Sequence, residues 1–275
     1  NIFFNQGMHN QAVNAYTKAL MLNPESNTIY SNLLYSLTLN PYLTNEQIFQ
    51  EHLNFGKKYN NIKNKFNSHL VKKTGNKKIK LGFVSADLKN HAIFPVLAPV
   101  IRSLDRNKFE IVLYSNSKVF DEYSKKYKIW SDKWVMVEHL SHDDLANIIH
   151  KDKIDILFDM SGHTSGNRLK TFALKPAPIQ ISWMGYPYTT GLKSIDYVIY
   201  DEFYVDKDAE NYFSEKVLKV KNHFNFDPLP EKLVSKPDIR KIKNEKIFAS
   251  LNHSRKLNKE VLSVWSKILL QNEST

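Results

Sequence analysis

The sequence contains no cysteine. Disulfides, thiolate metal sites and a cysteine nucleophile are excluded, and a reducing, cytoplasmic setting is the expectation. No run of 18 or more apolar residues occurs, so no segment reads as a membrane span. No basic-then-apolar leader opens the chain either. Arginine is scarce: of 39 basic residues only Arg102, Arg106, Arg168, Arg240 and Arg255 carry a guanidinium. That scarcity bears on the formal charge of +11, which alone would put nucleic acid first among partners. The lysines are scattered, and the densest pairs, Lys72-Lys73 and Lys77-Lys78, flank Gly75 in a polar stretch. Tyrosine and phenylalanine fall at core-like positions instead of alternating with the basic residues as a stacking platform requires. The expected partners therefore include neither nucleic acid nor a membrane. There is no P-loop, no G-x-S-x-G and no His/Asp/Glu cluster at metal-ligand spacing. Asp206 and Asp208 have the spacing of a metal-binding D-x-D, but "DEFYVDKDAEN" around them reads as a solvated acidic loop.

What is present is globular composition, 42% hydrophobic and 24% charged over 275 residues, with room for more than one domain. In "GMHNQAVNAYTKALMLNP" the residues Gly7, Ala12, Tyr16, Ala19 and Pro24 have the spacing of the second helix of a tetratricopeptide repeat. "ESNTIYSNLLYSL" then reads as the first helix of the next one. One such unit cannot bury its own face, so the chain is expected to be a fragment of a longer protein. "TNEQIFQEHLNFGKKY" is a helix with a Thr44/Gln47 capping box, and His52 on it is read as structural. Residues 61–77 read as a linker. From residue 78 the period changes. "KIKLGFVSA", "FEIVLYSN", "WVMVEHL", "IDILFDM", "PIQISWM", "DYVIYD" and "EKVLKV" are strands. "AIFPVLAPVIRSL" and "SHDDLANIIHKD", the latter capped by Ser141, are helices. Strands alternating with helices predict a parallel, doubly wound Rossmann-like α/β domain. "KIFASLNHSRKLNKEVLSVWSKILL" predicts one more strand–loop–helix, the start of a second α/β domain. The expected division is 1–38 repeat, 39–77 connecting helix and linker, 78–240 first Rossmann-like domain, and 241–275 the start of the second.

Four stretches could carry chemistry. After the first strand, Asp87, Asn90 and His91 precede a helix N-terminus, where backbone N–H groups favour an anion and a carboxylate can orient an imidazole. The alternative is a helix cap beside an exposed histidine. After "IDILFDM", the run "SGHTSGNR" offers Gly162 and Gly166 for close backbone approach and His163, Thr164 and Arg168 as donors, a candidate cleft loop. Residues 174–191, "LKPAPIQISWMGYPYTTG", are either a functional loop or a rigid brace. Finally Asn252, His253, Arg255 and Lys256 precede the last helix, where Lys256 could meet a phosphate.

Together these runs resemble the protein O-linked N-acetylglucosamine transferases and SPINDLY-like proteins of glycosyltransferase family 41. The resemblance rests on "GFVSADLKNH", "DILFDMSGHTSGNR", "ALKPAPIQISWMGYP", "YFSEKV" and "LNHSRKL" in this order, over nearly the whole chain. It implies a GT-B architecture of two facing Rossmann-like domains. It also implies inverting, metal-independent transfer of a sugar from UDP-N-acetylglucosamine, a substrate and not a cofactor, to Ser or Thr hydroxyls. The protein or peptide acceptor would be recruited by the repeats. His91 corresponds to the active-site histidine on the acceptor side and Asp87 to its acidic neighbour. Lys256 corresponds to the lysine on the donor diphosphate, with His253 and Asn90 assigned beside it. Ala92 and Ile93 differ from the Pro and Thr of animal enzymes, and His253 stands where those have Gln. Their junction histidine has no match, Tyr30 falling near it. A SPINDLY-like O-fucosyltransferase and a repeat-type interaction module with a degenerate catalytic domain are the alternatives. A chain that stops early in the second domain is expected to be inactive alone.

Overall fold

The computed structural model describes residues 1–60, 66, 69, 78–222, 226–227 and 248–272. Its centre is set by strands whose side chains alternate between two faces, as the two-residue period of a pleated strand requires. In β1 (Ile79–Ser85) and β2 (Phe109–Ser115), Leu81, Phe83, Ile111 and Leu113 enter one apolar layer. Val84, Val112 and Tyr114 enter the other. Further strands are β3 (Lys133–Met136), β4 (Ile156–Asp159), β5 (Ile179–Trp183), β6 (Tyr197–Asp201) and β7 (Lys216–Val220). All pair in parallel in the order β3-β2-β1-β4-β5-β6-β7. The seven strands expected between residues 78 and 220 are these seven.

The connecting helices bury both faces, as a parallel sheet demands. α5 (Phe94–Ser103) and α6 (Glu122–Ile129) cover one through Leu97, Ile101 and Tyr127. α7 (His142–Asp152) and α8 (Leu169–Ala173) cover the other through Leu145, Ile149 and Phe172. Ser141 caps α7 by accepting from Asp144 N–H at 3.1 Å, as its spacing predicts. Upstream lie α1 (Ile2–Asn5), α2 (His9–Leu22), α3 (Asn27–Thr38) and α4 (Asn45–Asn60). The Thr44/Gln47 capping box is formed in both directions, at 3.2 and 2.9 Å. Phe55 and Tyr59 of α4 join the same layer as α7 and α8, so the helical unit shares a core with the sheet.

The last segment differs from its expectation. Residues 248–252 of the predicted strand "KIFASLN" are not a strand, and its first two residues lie outside the described ones. Among the described residues no strand lies beside them to supply a ladder, and Asn252 N–H donates instead to Ser250 Oγ at 3.4 Å. A 3-10 turn, Ser254–Lys256, leads to α9 (Lys259–Leu270), capped by Asn258. The linker expected over 61–77 falls outside the described residues, Phe66 and His69 excepted. Phe66 stacks on His150 at 4.2 Å, and His69 Nε2–H donates to the Lys175 carbonyl at 3.0 Å.

Candidate functional site

β1 has β2 on one side and β4 on the other, and strand order runs outward from this pair. Such a switch point opens a crevice at the carboxyl ends of the strands, because the two following connections leave to opposite faces. The loops after β1 and β4 are the two that hold Asp87–His91 and Ser161–Arg168. Val84, next to last in β1, and Asp159, the last residue of β4, are register partners.

Asp87 is half-buried and its N–H donates to Ser85 Oγ at 3.0 Å. His91 Nδ1 accepts from Ile93 N–H at 3.3 Å, which leaves Nε2 facing Asp87 Oδ1 at 3.8 Å. The His91 side chain is 45% exposed, so the pair opens to solvent. Neither Asp87 nor Asn90 caps α5. Its cap is Ile93, which makes no side-chain bond. The helix-cap alternative for the acid and the amide is therefore removed. Asn90 is exposed, and its N–H donates to Asp121 Oδ2 at 2.8 Å. Asp121 Oδ1 meanwhile caps α6, accepting from Tyr123 N–H at 3.0 Å and Ser124 N–H at 2.9 Å. One carboxylate thus ties the turn after β1 to the helix after β2. Sequence reasoning missed both Asp121 and α6. An Asp before a short, polar helix was the available signal.

The loop after β4 is built differently from its expectation as a row of cleft donors. Thr164 is half-buried and bonds the Ser161 carbonyl at 2.7 Å. Within this loop only Ser165 and Gly166 are exposed. Gly166 comes so close to β1 that a Cβ there would lie 2.6 Å from Ala86 Cβ. Arg168 turns inward. Its guanidinium donates to Asn116 Oδ1 at 2.8 and 3.0 Å and to the carbonyls of Val137 and Leu140 at 2.7 and 2.8 Å. Asn116 in turn donates to the Gly166 carbonyl at 2.7 Å. The arginine pins three strand ends together, and its donors are spent there.

His163 is also buried, at 1% exposure. Its Nε2 meets the Thr190 carbonyl at 2.9 Å, which can only accept, so Nε2 carries the proton. Nδ1 then accepts from Ser31 Oγ–H at 3.1 Å, and Ser31 Oγ accepts from Asn167 Nδ2 at 3.1 Å. His52 is the mirror case. Nδ1–H donates to the Ile48 carbonyl and Nε2 accepts from Tyr186 O–H, both at 2.7 Å. Burial lowers the His52 pKa to about 4, the Ile48 carbonyl opposing it. Burial and the neighbouring His52 ring hold His163 well below its ordinary value. Both rings are neutral and join the helical unit to the loops after β4 and β5. Asp159 sits beneath the Gly162 turn, accepting from Gly162 N–H at 2.9 Å and Ser161 N–H at 3.2 Å. Burial pushes its carboxyl up to about 6 against those bonds and one from Ser182, with Glu215 adding to the rise.

Residues 174–191 are a brace. Tyr186 is 5% exposed, and its side chain, Cβ foremost, fills the space a Cβ on Gly162 would need. A Cβ on Gly185 would strike the Met160 carbonyl, and one on Gly191, where φ is +76°, the His52 carbonyl. Glu215 locks Thr189 and Thr190 in place, accepting from Thr190 N–H at 2.8 Å.

On the last segment, His253 and Lys256 are exposed, and His253 Nδ1 accepts from Arg255 N–H at 3.3 Å. Asp206 and Asp208 are exposed, and Asp206 Oδ1 accepts from Ala209 N–H at 2.7 Å at the start of a short 3-10 helix whose N-cap is Asp208. Among the described residues no group of three or more His, Asp or Glu is placed to hold a metal ion.

The sequence profile of glycosyl transferase family 41 matches residues 30–246. The chain belongs to that family. It is 30% identical over 266 residues to a rice protein named probable UDP-N-acetylglucosamine–peptide N-acetylglucosaminyltransferase SPINDLY, covering 94% of this chain and 28% of that one. An Arabidopsis thaliana protein with the same enzyme name and the designation SEC is 32% identical, covering 72% and 22%. A solved O-GlcNAc transferase mutant from Thermobaculum terrenum superposes with a TM-score of 0.85 at 25% identity, covering 99% of this chain and 52% of that one. The chain thus spans about a quarter of the curated relatives' length and half of the solved one.

Proposed function

We propose that the full-length protein is an inverting glycosyltransferase that moves N-acetylglucosamine from UDP-N-acetylglucosamine to Ser or Thr hydroxyls of proteins. The observation that carries the reading is the exposed Asp87–His91 pair at the switch point of a parallel sheet, in a chain of family 41. An acceptor hydroxyl must lose a proton as it attacks the anomeric carbon, while the departing diphosphate gathers charge. With Nδ1 accepting from Ile93 N–H at 3.3 Å, the neutral His91 ring carries its proton on Nε2 and donates it in a hydrogen bond that orients the acceptor oxygen; taking the hydroxyl proton at Nε2 requires the other tautomer, with the Ile93 bond given up. The 3.8 Å separation from Asp87 is wider than a direct hydrogen bond, and the carboxylate acts on the ring through its field. Lys256, with His253 and Asn90, takes the diphosphate and supplies the positive charge that the leaving group needs. Transfer then requires no metal. In this reading α2 and α3 belong to tetratricopeptide repeats that recruit the acceptor. The division at residues 38, 77 and 240 separates repeat, connector and the two halves of a GT-B fold.

The test is transfer by the full-length protein from UDP-N-acetylglucosamine to a mixed peptide library, in excess EDTA. His91→Ala should cut turnover about 10²- to 10⁴-fold, the usual contribution of a positioned acid–base group, with an unchanged circular dichroism spectrum. Near-normal turnover would remove His91 from the mechanism. A second reading, fucose transfer of the SPINDLY type, is favoured by the breadth of the match to the rice SPINDLY protein. Transfer from GDP-fucose and none from UDP-N-acetylglucosamine would select it.

A further inference from the structure

The turn that carries Lys256 rests on the helical unit. Arg255 lays its guanidinium over two rings, Phe4 of α1 and Tyr35 of α3, each 5.6 Å from the ring centroid. The two rings pack on one another at 5.3 Å, and Phe4 is 8% exposed. A cation over aromatic faces gains most where water is kept away. Two other contacts flank this one. Gly7, at φ +72°, leaves the space in which a Cβ would lie 2.7 Å from the Leu257 carbonyl oxygen. Tyr42 O–H donates to Glu260 in the first turn of α9. The turn is held from within as well, since His253 Nδ1 accepts from Arg255 N–H.

In a three-residue 3-10 turn, successive side chains point about 120° apart. Setting Arg255 down on the rings therefore turns Lys256 outward, and Arg255 is half-buried where Lys256 is exposed. We propose that Arg255 is a positioning residue: through Phe4 and Tyr35 the helical unit holds the 253–257 turn and fixes Lys256 toward the donor diphosphate. The proposal rests on the donor-side role given to Lys256 above. A lysine on a tethered backbone loses less freedom when it meets a phosphate, so the tether improves nucleotide affinity without touching the nucleotide. Whatever shifts α1 or α3, an acceptor protein included, then shifts donor affinity, and by reciprocity the donor shifts acceptor affinity.

The experiment titrates the full-length protein with UDP and with GDP by calorimetry, alongside thermal unfolding, in wild type, Arg255→Ala, Arg255→Lys, Phe4→Leu and Lys256→Ala. Arg255→Ala should weaken binding of the preferred nucleotide about tenfold, the scale of a desolvated cation–ring contact, with an unchanged unfolding temperature. Arg255→Lys should recover most of that loss, because an ammonium still sits over the rings. Phe4→Leu, which keeps the apolar packing and removes the ring, should weaken binding as Arg255→Ala does. Wild-type affinity in Arg255→Ala beside lost affinity in Lys256→Ala overturns the proposal and leaves the donor site standing. A loss in Arg255→Ala that Arg255→Lys does not recover, with a lowered unfolding temperature, also overturns it, since that marks a merely structural contact. Undiminished binding in Lys256→Ala overturns the donor-side reading and this proposal with it.

Discussion

Two buried imidazoles, His52 and His163, face each other at 5.3 Å. Neither can take a second proton without breaking a hydrogen bond. His52 Nε2 and His163 Nδ1 are both acceptors in the fold. The consequence for stability has a definite sign. A histidine whose folded pKa lies below its free value of 6.5 destabilises the fold as pH falls through 6.5 toward the folded pKa, because the unfolded chain binds the proton first. His142, lowered to about 4 by burial and by Arg168 and Lys170, acts in the same direction. Asp159, raised from 3.8 to about 6, acts against them, since its contribution is present below 3.8 and lost as pH rises through 6. His9 and His69, both lowered by burial, act with these three, so the histidine protons outweigh the one of Asp159. Stability should fall as pH drops from 6.5 to 4, with a slope of about 1.4 kcal/mol per pH unit for each net proton. Urea titrations across this range measure it, and His52→Leu should flatten the slope. A stability that rises toward pH 4 would refute this assignment. The sequence marked His163 as a loop donor and His52 as an ordinary core residue. Their partnership was not legible, because the two meet only when α4 docks on the loop after β4, and no local pattern records that.

Among the elements, those with a strong period were legible. The alternation in β1 and β2 and the apolar run in α5 reflect burial on one face or both, and burial is what composition encodes. α6 and α8 were not legible. Eight residues reading "EYSKKYKI" bury only Ser124 and Tyr127, too few positions to display a helical stripe. What fixes α6 is its cap, and the same carboxylate holds Asn90. Asp121→Ala should therefore cost about 1–2 kcal/mol, the range for losing a side-chain N-cap. It should lower the urea midpoint without changing the slope. It should also speed amide exchange at Asn90, thirty-one residues upstream by the chain but a direct partner in space. Unchanged Asn90 exchange would mean that the turn after β1 is held by other bonds. The candidate site was half legible for the same reason. Asp87 and His91 lie within one turn of chain. The inward turn of Arg168 depends on Asn116, Val137 and Leu140, which come from other connections.

At the scale of the molecule, apolar surface is unevenly placed. α9 exposes Leu262, Val264, Leu269 and Leu270 at 49–66%, and Phe248 and Leu251 beside it are at 53% and 102%. Neighbouring apolar side chains in that number make a patch prone to association. The 275-residue chain should self-associate at micromolar concentration, more strongly as salt rises. A Leu262→Glu/Leu269→Lys variant should stay monodisperse in light scattering while keeping its circular dichroism spectrum. Association unaltered in that variant would move the sticky surface elsewhere. The seam between the helical unit and the sheet is the opposite kind of surface, closed over the hydrogen-bonded pair His52 and His163. Its two rings hold their protons on different nitrogens, Nδ1 in His52 and Nε2 in His163. Magnetic resonance would see them as two distinct ring N–H signals, sheltered from solvent exchange while the seam is shut. They are a built-in gauge of whether the two parts of the molecule stay docked.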